Sequence, residues 1–358
     1  MLKVDKCLCN SSFLSTFVVS KQSSNNLNVY RIMITKEQFE DLVGIELIEE
    51  NGKLVYYGNL GFWGRKDITE LPDNLRVLGI LDLRYSNITK LPKGLIVKTW
   101  LDISNTEVEE LPEDTMLGGS FYANNMKKPF SFPKVLKVNG IFRCENTIIK
   151  CMPEELHVKY DCRFSKSTFD RYPKVMEFSS SLNLGDMPIT ELPEGIKKVY
   201  GNLNIRNTKV SKLNDNLVVY DRLNLENTLI EDLPKGLIVG NRLNLRGTKL
   251  RDYSNLHKVC SRFVIDKEKY NEIKDSLVEH SSETLDNEVN VTFKPNYKGA
   301  YLFENENGKY IEVNCIFGKI VEQKGNVYHI KRYGDERITY LVIDSEGHWT
   351  HENEVFKE

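Results

Sequence analysis

No stretch of 18 or more apolar residues occurs in the 358-residue chain, so no segment reads as a transmembrane helix. The seven cysteines contain no CxxC pair, and Cys7 and Cys9 have no second cluster with which to share a metal. An odd cysteine count fits reduced thiols in a cytoplasmic protein better than a disulfide framework. G-x-S-x-G, P-loop and dinucleotide-binding fingerprints are all missing. The histidines are scattered. His157 and His257 fall outside any shared repeat position, and His348 and His351 follow a turn at Asp344–Gly347. Cys315 falls in an expected strand, as a core residue rather than a nucleophile. These absences point away from an enzyme, and no cofactor is expected. Charge of one sign is lacking too. A net charge of −2 gives no global pull toward nucleic acid or anionic lipid.

Proline is sparse, and its spacing is informative. Of the 11 prolines, Pro72, Pro92, Pro112, Pro133, Pro153, Pro173, Pro193 and Pro234 fall on one grid, with Asn214 and Ser254 filling two further points. The steps are 20 or 21 residues. Apolar residues repeat in the same phase. Leu71, Leu91, Leu111, Leu192, Leu213 and Leu233 precede the grid point, and Val77, Val97, Val138, Val158, Val219 and Val239 follow it by five. Pairs at plus nine and plus eleven include Leu81/Leu83, Leu101/Ile103, Phe142/Cys144, Leu182/Leu184, Leu223/Leu225 and Leu243/Leu245. Such an LxL triplet has period two, so both leucines point one way and the middle residue points the other. One triplet per 20 residues cannot make its own core, whereas stacked coils can. The pattern therefore predicts a solenoid of about ten coils over 68–268, with one parallel strand per coil and extended or 3₁₀ backbone opposite. Cys144 and Cys162 stand at core positions, as buried thiols. Gly79, Gly119, Gly140, Gly201 and Gly240 precede the strand, where a tight turn is expected. Thr106, Thr147, Thr208, Thr228 and Thr248 follow it, placed to bond the adjoining turn.

The unit LxLxxTxIxxLPxxLxV resembles leucine-rich repeats of the short LPX type, with Thr in place of the ladder Asn. Units such as ITELPEGIKKVYGNLNIRNT (189–208) also resemble those of repeat proteins from bacteria and their phages. The resemblance covers about 200 residues. It implies a leucine-rich-repeat-like parallel β-solenoid and a binding role, and it does not name what is bound.

The flanks complete a mainly β fold. Residues 1–32 read as a leader or upstream extension before Met33. A signal peptide would need a cleaner apolar core, so secretion is the lesser alternative. Residues 33–67 read as an N-terminal cap: a helix near 36–43, opened by a Thr35/Gln38 capping box, and a strand. A capping helix at 266–280 and a polar linker at 281–290 are expected to close the array (269–290 beyond the last coil). Residues 291–358 read as a separate small antiparallel β domain of about five strands, with Asn307-Gly308 as a hairpin turn.

The open side of the strands carries the candidate partner-binding residues. Trp100, Asp102 and Tyr122 lie early, Arg143 and Arg163 in the middle, and Asn204, Arg206, Arg222, Asn224, Arg242, Asn244, Arg246 and Arg262 late. Arg222, Arg242 and Arg262 share one position in three successive coils. Two readings stand. In one, the Arg stems cover the sheet and their charges meet Asp221, Glu226 and Asp266. In the other, the face binds a partner, with aromatic and Arg anchors. A protein partner is expected. A virion or assembly role and nucleic-acid or phosphate binding through the Arg column are the alternatives, and the acidic overall balance weighs against nucleic acid.

Overall fold

The computed structural model describes residues 34–313, 316–332 and 338–351. The leader, Cys7, Cys9 and Cys315 therefore lie outside the described residues. The chain forms a parallel β-solenoid of about 11 turns followed by a six-stranded antiparallel sheet.

One ladder runs the length of the solenoid. Leu60 pairs in register with Leu81, then Leu101, Phe121, Phe142, Cys162, Leu182, Leu203, Leu223, Leu243 and Phe263. The first of these coils was expected to be part of the cap. Its grid point is Asn51 rather than proline, and its triplet is Leu60/Phe62. The side opposite the ladder is extended, and it is also paired. Short strands such as Leu75–Val77, Ile96–Val97 and Met116–Leu117 form a second parallel ladder. Both leucines of each LxL triplet are buried, as period two requires. A fully buried Leu contributes about 1.5–3 kcal/mol, so the stacked interior is the main source of stability.

The irregular middle of the array keeps its core by matching volumes. Phe121 is paired with Ala123, Phe142 with Cys144, and Phe164 with Cys162, so each coil offsets one ring with one small side chain. The rings touch in sequence: Phe121–Phe142 centroids lie 6.2 Å apart, Phe142–Phe164 5.1 Å and Phe164–Phe169 5.6 Å. Burial pushes the Cys144 and Cys162 thiols well up, which keeps both neutral in the core.

The turn chemistry partly differs from expectation. Thr106, Thr208, Thr228 and Thr248 donate to the carbonyl three residues back, at 2.6–2.7 Å, and so secure the turn after the strand. Thr147 instead bonds Ala123 O and Glu145 O. The glycines before the strand do not supply a left-handed turn, since none of the five has positive φ. They permit close approach. A Cβ on Gly119 would sit 1.6 Å from Thr99 O, and one on Gly79 2.4 Å from Gly58 O. Gly119→Ala is expected to cost about 1–3 kcal/mol, measured as a lower urea midpoint at unchanged slope. An unchanged midpoint would mean that the coils part easily there.

Both ends are closed by added elements. At the start, the helix Lys36–Val43 has the expected capping box and sets Phe39 against Phe62, with centroids 5.9 Å apart. At the other end, the helix is shorter than expected. It spans Lys267–Ile273, with a 3₁₀ turn at Lys274–Ser276. The expected linker is a hairpin. His280–Leu285 pairs antiparallel with Glu288–Phe293, which pairs antiparallel with the last coil's Cys260–Asp266 strand. Val289, Val291 and Phe293 thereby complete the solenoid core.

Among the described residues the antiparallel sheet begins at Tyr301 and has six strands, close to the five or so expected, while the segment from 291 belongs to the closing hairpin. It is also docked. Phe303, Tyr310 and Phe317 pack on Val218, Tyr220 and Ile238 of the second ladder. Gly240 makes room for this, because a Cβ there would lie 2.4 Å from Phe317 Cδ1. Asn305 Nδ2 donates to Gly236 O (2.8 Å) and Asn307 Nδ2 to Asn216 O (3.2 Å).

Candidate functional site

The open face of the main ladder has three rows per coil: the residue before the triplet, its middle residue, and the residue after it. Register places the middle residues in one column: Asp82, Asp102, Tyr122, Arg143, Arg163, Asn183, Asn204, Asn224, Asn244 and Val264.

Most of this column has a backbone task. Asp82, Asp102, Asn183, Asn204, Asn224 and Asn244 each accept through Oδ1 from the N–H two residues on, at 2.9–3.2 Å. This is an Asx turn, repeated to end the strand in coil after coil. Each such bond contributes about 0.5–1.5 kcal/mol net. Asp102, Asn204, Asn224 and Asn244, all expected on the partner-binding face, thus commit a side-chain oxygen to the turn. Burial raises the Asp102 carboxyl, and the Ser104 contacts and Arg84 pull part of that rise back.

The first row has a second task. Asn59, Ser120, Asp161, Ser181 and Asn202 accept from the N–H that opens the next coil's strand, at 2.8–3.2 Å. Polar residues on this face thus tie one coil to the next.

The arginine column exists but is not free. Arg222, Arg242 and Arg262 are in register. Arg242 Nη2 donates to Asn290 Oδ1 at 2.7 Å and lies 3.7 Å from Glu288. Arg246 bridges Glu288 (2.6 Å) and Glu226 (2.8 Å). Arg262 Nη2 donates to Asn241 Oδ1 (2.8 Å) and to Glu312 Oε1 (3.3 Å). The hairpin and the C-terminal sheet thus occupy these guanidiniums. Arg163 pairs with Asp161 (2.7 Å) and Arg206 with Asp186 (3.5 Å). Arg222 remains exposed, with Asp221 at 3.9 Å.

What is left lies on the early coils. Trp100 stands in the first row, where an indole cannot tie down the next coil, and it is 37% exposed. Its ring meets Tyr122 edge to face, with centroids 5.7 Å apart. Arg143 lies over Tyr122 at 5.5 Å, a cation–π contact. Ile80 and Ile141 flank them in the first row and are half-buried. Trp63 and Tyr85 form another edge-to-face pair at 6.2 Å, and Trp63 is 64% exposed. Sequence reading missed Trp63 because its coil was assigned to the cap. Counting from Leu60/Phe62 would have placed it in the third row.

Among the described residues, no group of three or more His, Cys, Asp or Glu is arranged to hold a metal. No described helix is long and apolar enough to cross a membrane. The fold is that of a capped parallel β-solenoid carrying a docked antiparallel sheet. Comparison of the chain with family models, curated proteins and solved structures found no match.

Proposed function

We propose that this chain is a non-enzymatic binding scaffold that docks a protein partner on the open face of its early coils, centred on Trp100, Tyr122 and Arg143. The supporting observation is a departure from rule. Elsewhere on this face, polar side chains secure turns and tie coils, and late arginines hold the end elements. Trp100 and Tyr122 have neither task, yet they are large, partly exposed and mutually packed. Trp, Tyr and Arg are the residues enriched where interface energy concentrates. With Ile80 and Ile141 alongside, the surface fits an apolar segment of a partner, with an acidic group near Arg143. The resemblance to leucine-rich-repeat and phage-type repeat proteins agrees with this reading and suggests the bacterial cytoplasm as the setting. The nucleic-acid alternative relied on free arginines, and two of its three column residues are engaged.

The test compares capture of host proteins by wild type, by Trp100→Ala combined with Tyr122→Ala, and by Arg222→Glu. The aromatic double variant is expected to lose the partner by about 30-fold or more in affinity, while Arg222→Glu retains it. Equal capture by all three would remove this face from consideration. A partner captured equally well that belongs to an assembled particle would favour the structural-assembly alternative.

A further inference from the structure

The contact between the C-terminal sheet and the solenoid encloses one carboxyl group. Glu312, on the Gly308–Val313 strand, is 4% exposed. Its Oε1 accepts from Arg262 Nη2 at 3.3 Å, a long bond from a guanidinium that also serves Asn241. Its Oε2 is shut off from solvent and faces the Ser261 hydroxyl, a contact short of good hydrogen-bond geometry. Charge-assisted hydrogen bonds normally measure about 2.7–2.9 Å, so this ion pair is a weak answer to a deep burial.

The groups facing the carboxyl come from two sides. Arg262, Ser261 and Cys260 belong to the last coil's strand, and Tyr301 to the neighbouring strand of the sheet. Burial pushes the Cys260 thiol and the Tyr301 hydroxyl up, so both stay neutral across the acidic and neutral range. Burial pushes the Glu312 carboxyl up as well, with Ser261 and Arg262 pulling part of that rise back. Lys235 and Glu306 pair at the solvated rim, at 3.5 Å, and do not share this enclosure.

We propose that Glu312 is a proton-operated latch: the C-terminal sheet grips the solenoid more tightly when Glu312 takes up a proton and loosens when it is charged. A carboxylate in this enclosure has the long Arg262 bond and the poorly placed Ser261 hydroxyl in exchange for water, whereas a protonated carboxyl gives up far less hydration on docking. The sign follows from linkage. Released Glu312 would titrate in the ordinary carboxyl range, and docked Glu312 titrates above it. Docking is therefore strongest below the ordinary value and weakens as pH rises through the docked one. The surface that loosening exposes is the Val218, Tyr220 and Ile238 face.

Hydrogen exchange on the full chain tests this. Protection of Ile238–Gly240 and Gly308–Val313 is read from pH 4.5 to 7.5, corrected for the chemical exchange rate. The solenoid-core strands at Leu101 and Leu203 serve as reference. Interface protection in wild type is expected to fall about threefold or more relative to the reference as pH rises. Glu312→Gln, a neutral mimic of the protonated form, should hold high protection throughout. Arg262→Gln should steepen the fall, since the charged carboxyl then lacks its cation. A flat wild-type profile overturns the latch. So does a Glu312→Gln profile that keeps the wild-type slope, or one with low protection at every pH, which would make the charged pair itself the fastener.

Discussion

Phe142→Ala is expected to lower the unfolding free energy by about 3–5 kcal/mol, the usual cost of emptying a ring-sized space in a core. The site cannot collapse around the gap. Phe142 is bounded by Phe121, Phe132 and Phe164 at 5.1–6.2 Å, and its coil partner is already the small Cys144. The loss should also be local. Coils interact mainly with their neighbours, so a weak coil in the middle divides the array. In a Trp349→Phe background, which removes the tryptophan of the C-terminal sheet, urea unfolding followed by tryptophan emission reports on Trp63 and Trp100 of the early coils, while far-ultraviolet circular dichroism reports on the whole. The two transitions should separate in the variant. Coincident transitions with a loss under about 1 kcal/mol would show that the aromatic spine is not what fills the middle core.

Phe317→Asp should detach the C-terminal sheet without unfolding the solenoid. The ring of Phe317 is stacked 5.8 Å from Tyr310, meets Tyr220 edge to face at 5.3 Å, and lies over the bare backbone of Gly240. A carboxylate there has no cation within the apolar cluster and would be buried unpaired, a penalty of several kcal/mol. The solenoid core is a different cluster and does not include Phe317. Limited proteolysis between Phe293 and Ala300 should accelerate at least tenfold, while the main unfolding transition stays in place. If cleavage is unchanged, the polar contacts of Asn305, Asn307 and Glu306 hold the sheet without the aromatic cluster.

The solenoid was legible because its signal is geometric. Two leucines two residues apart, recurring every 20 or 21 residues, admit few other packings. The count fell one coil short where Asn51 replaces the grid proline. The closing hairpin escaped because His280–Leu285 has no apolar alternation, every side chain being short or polar apart from the terminal Leu285. Docking of the C-terminal sheet left a faint trace, the doubled apolar residues Val218-Val219 and Ile238-Val239. Ile96-Val97 shows the same doubling with no sheet upon it, so the trace alone does not discriminate. The direction of the face was legible, and the backbone bonds of its polar residues were not. Period two shows that Asn204, Asn224 and Asn244 point outward. It does not show that their amides fold back to the backbone. A polar Asx followed two residues later by the start of a turn was the available sign. Trp100 and Tyr122 remained as candidates because no such fold-back is open to them.

The hairpin that closes the array has a consequence for molecules in company. A ladder of parallel strands is a template at each end, and identical units that stack within one chain can in principle stack between chains. Here the last strand presents His280, Ser282 and Thr284 on the side where each coil offers leucines, and Tyr270 bonds to both His280 and Ser282. An incoming coil would find hydroxyls and an imidazole in place of an apolar floor. At the opposite end, the helix carrying Phe39 lies against the first coil at Phe62. A second copy adding end to end would thus meet a polar strand at one end and a helix at the other, where a bare solenoid would offer it leucines.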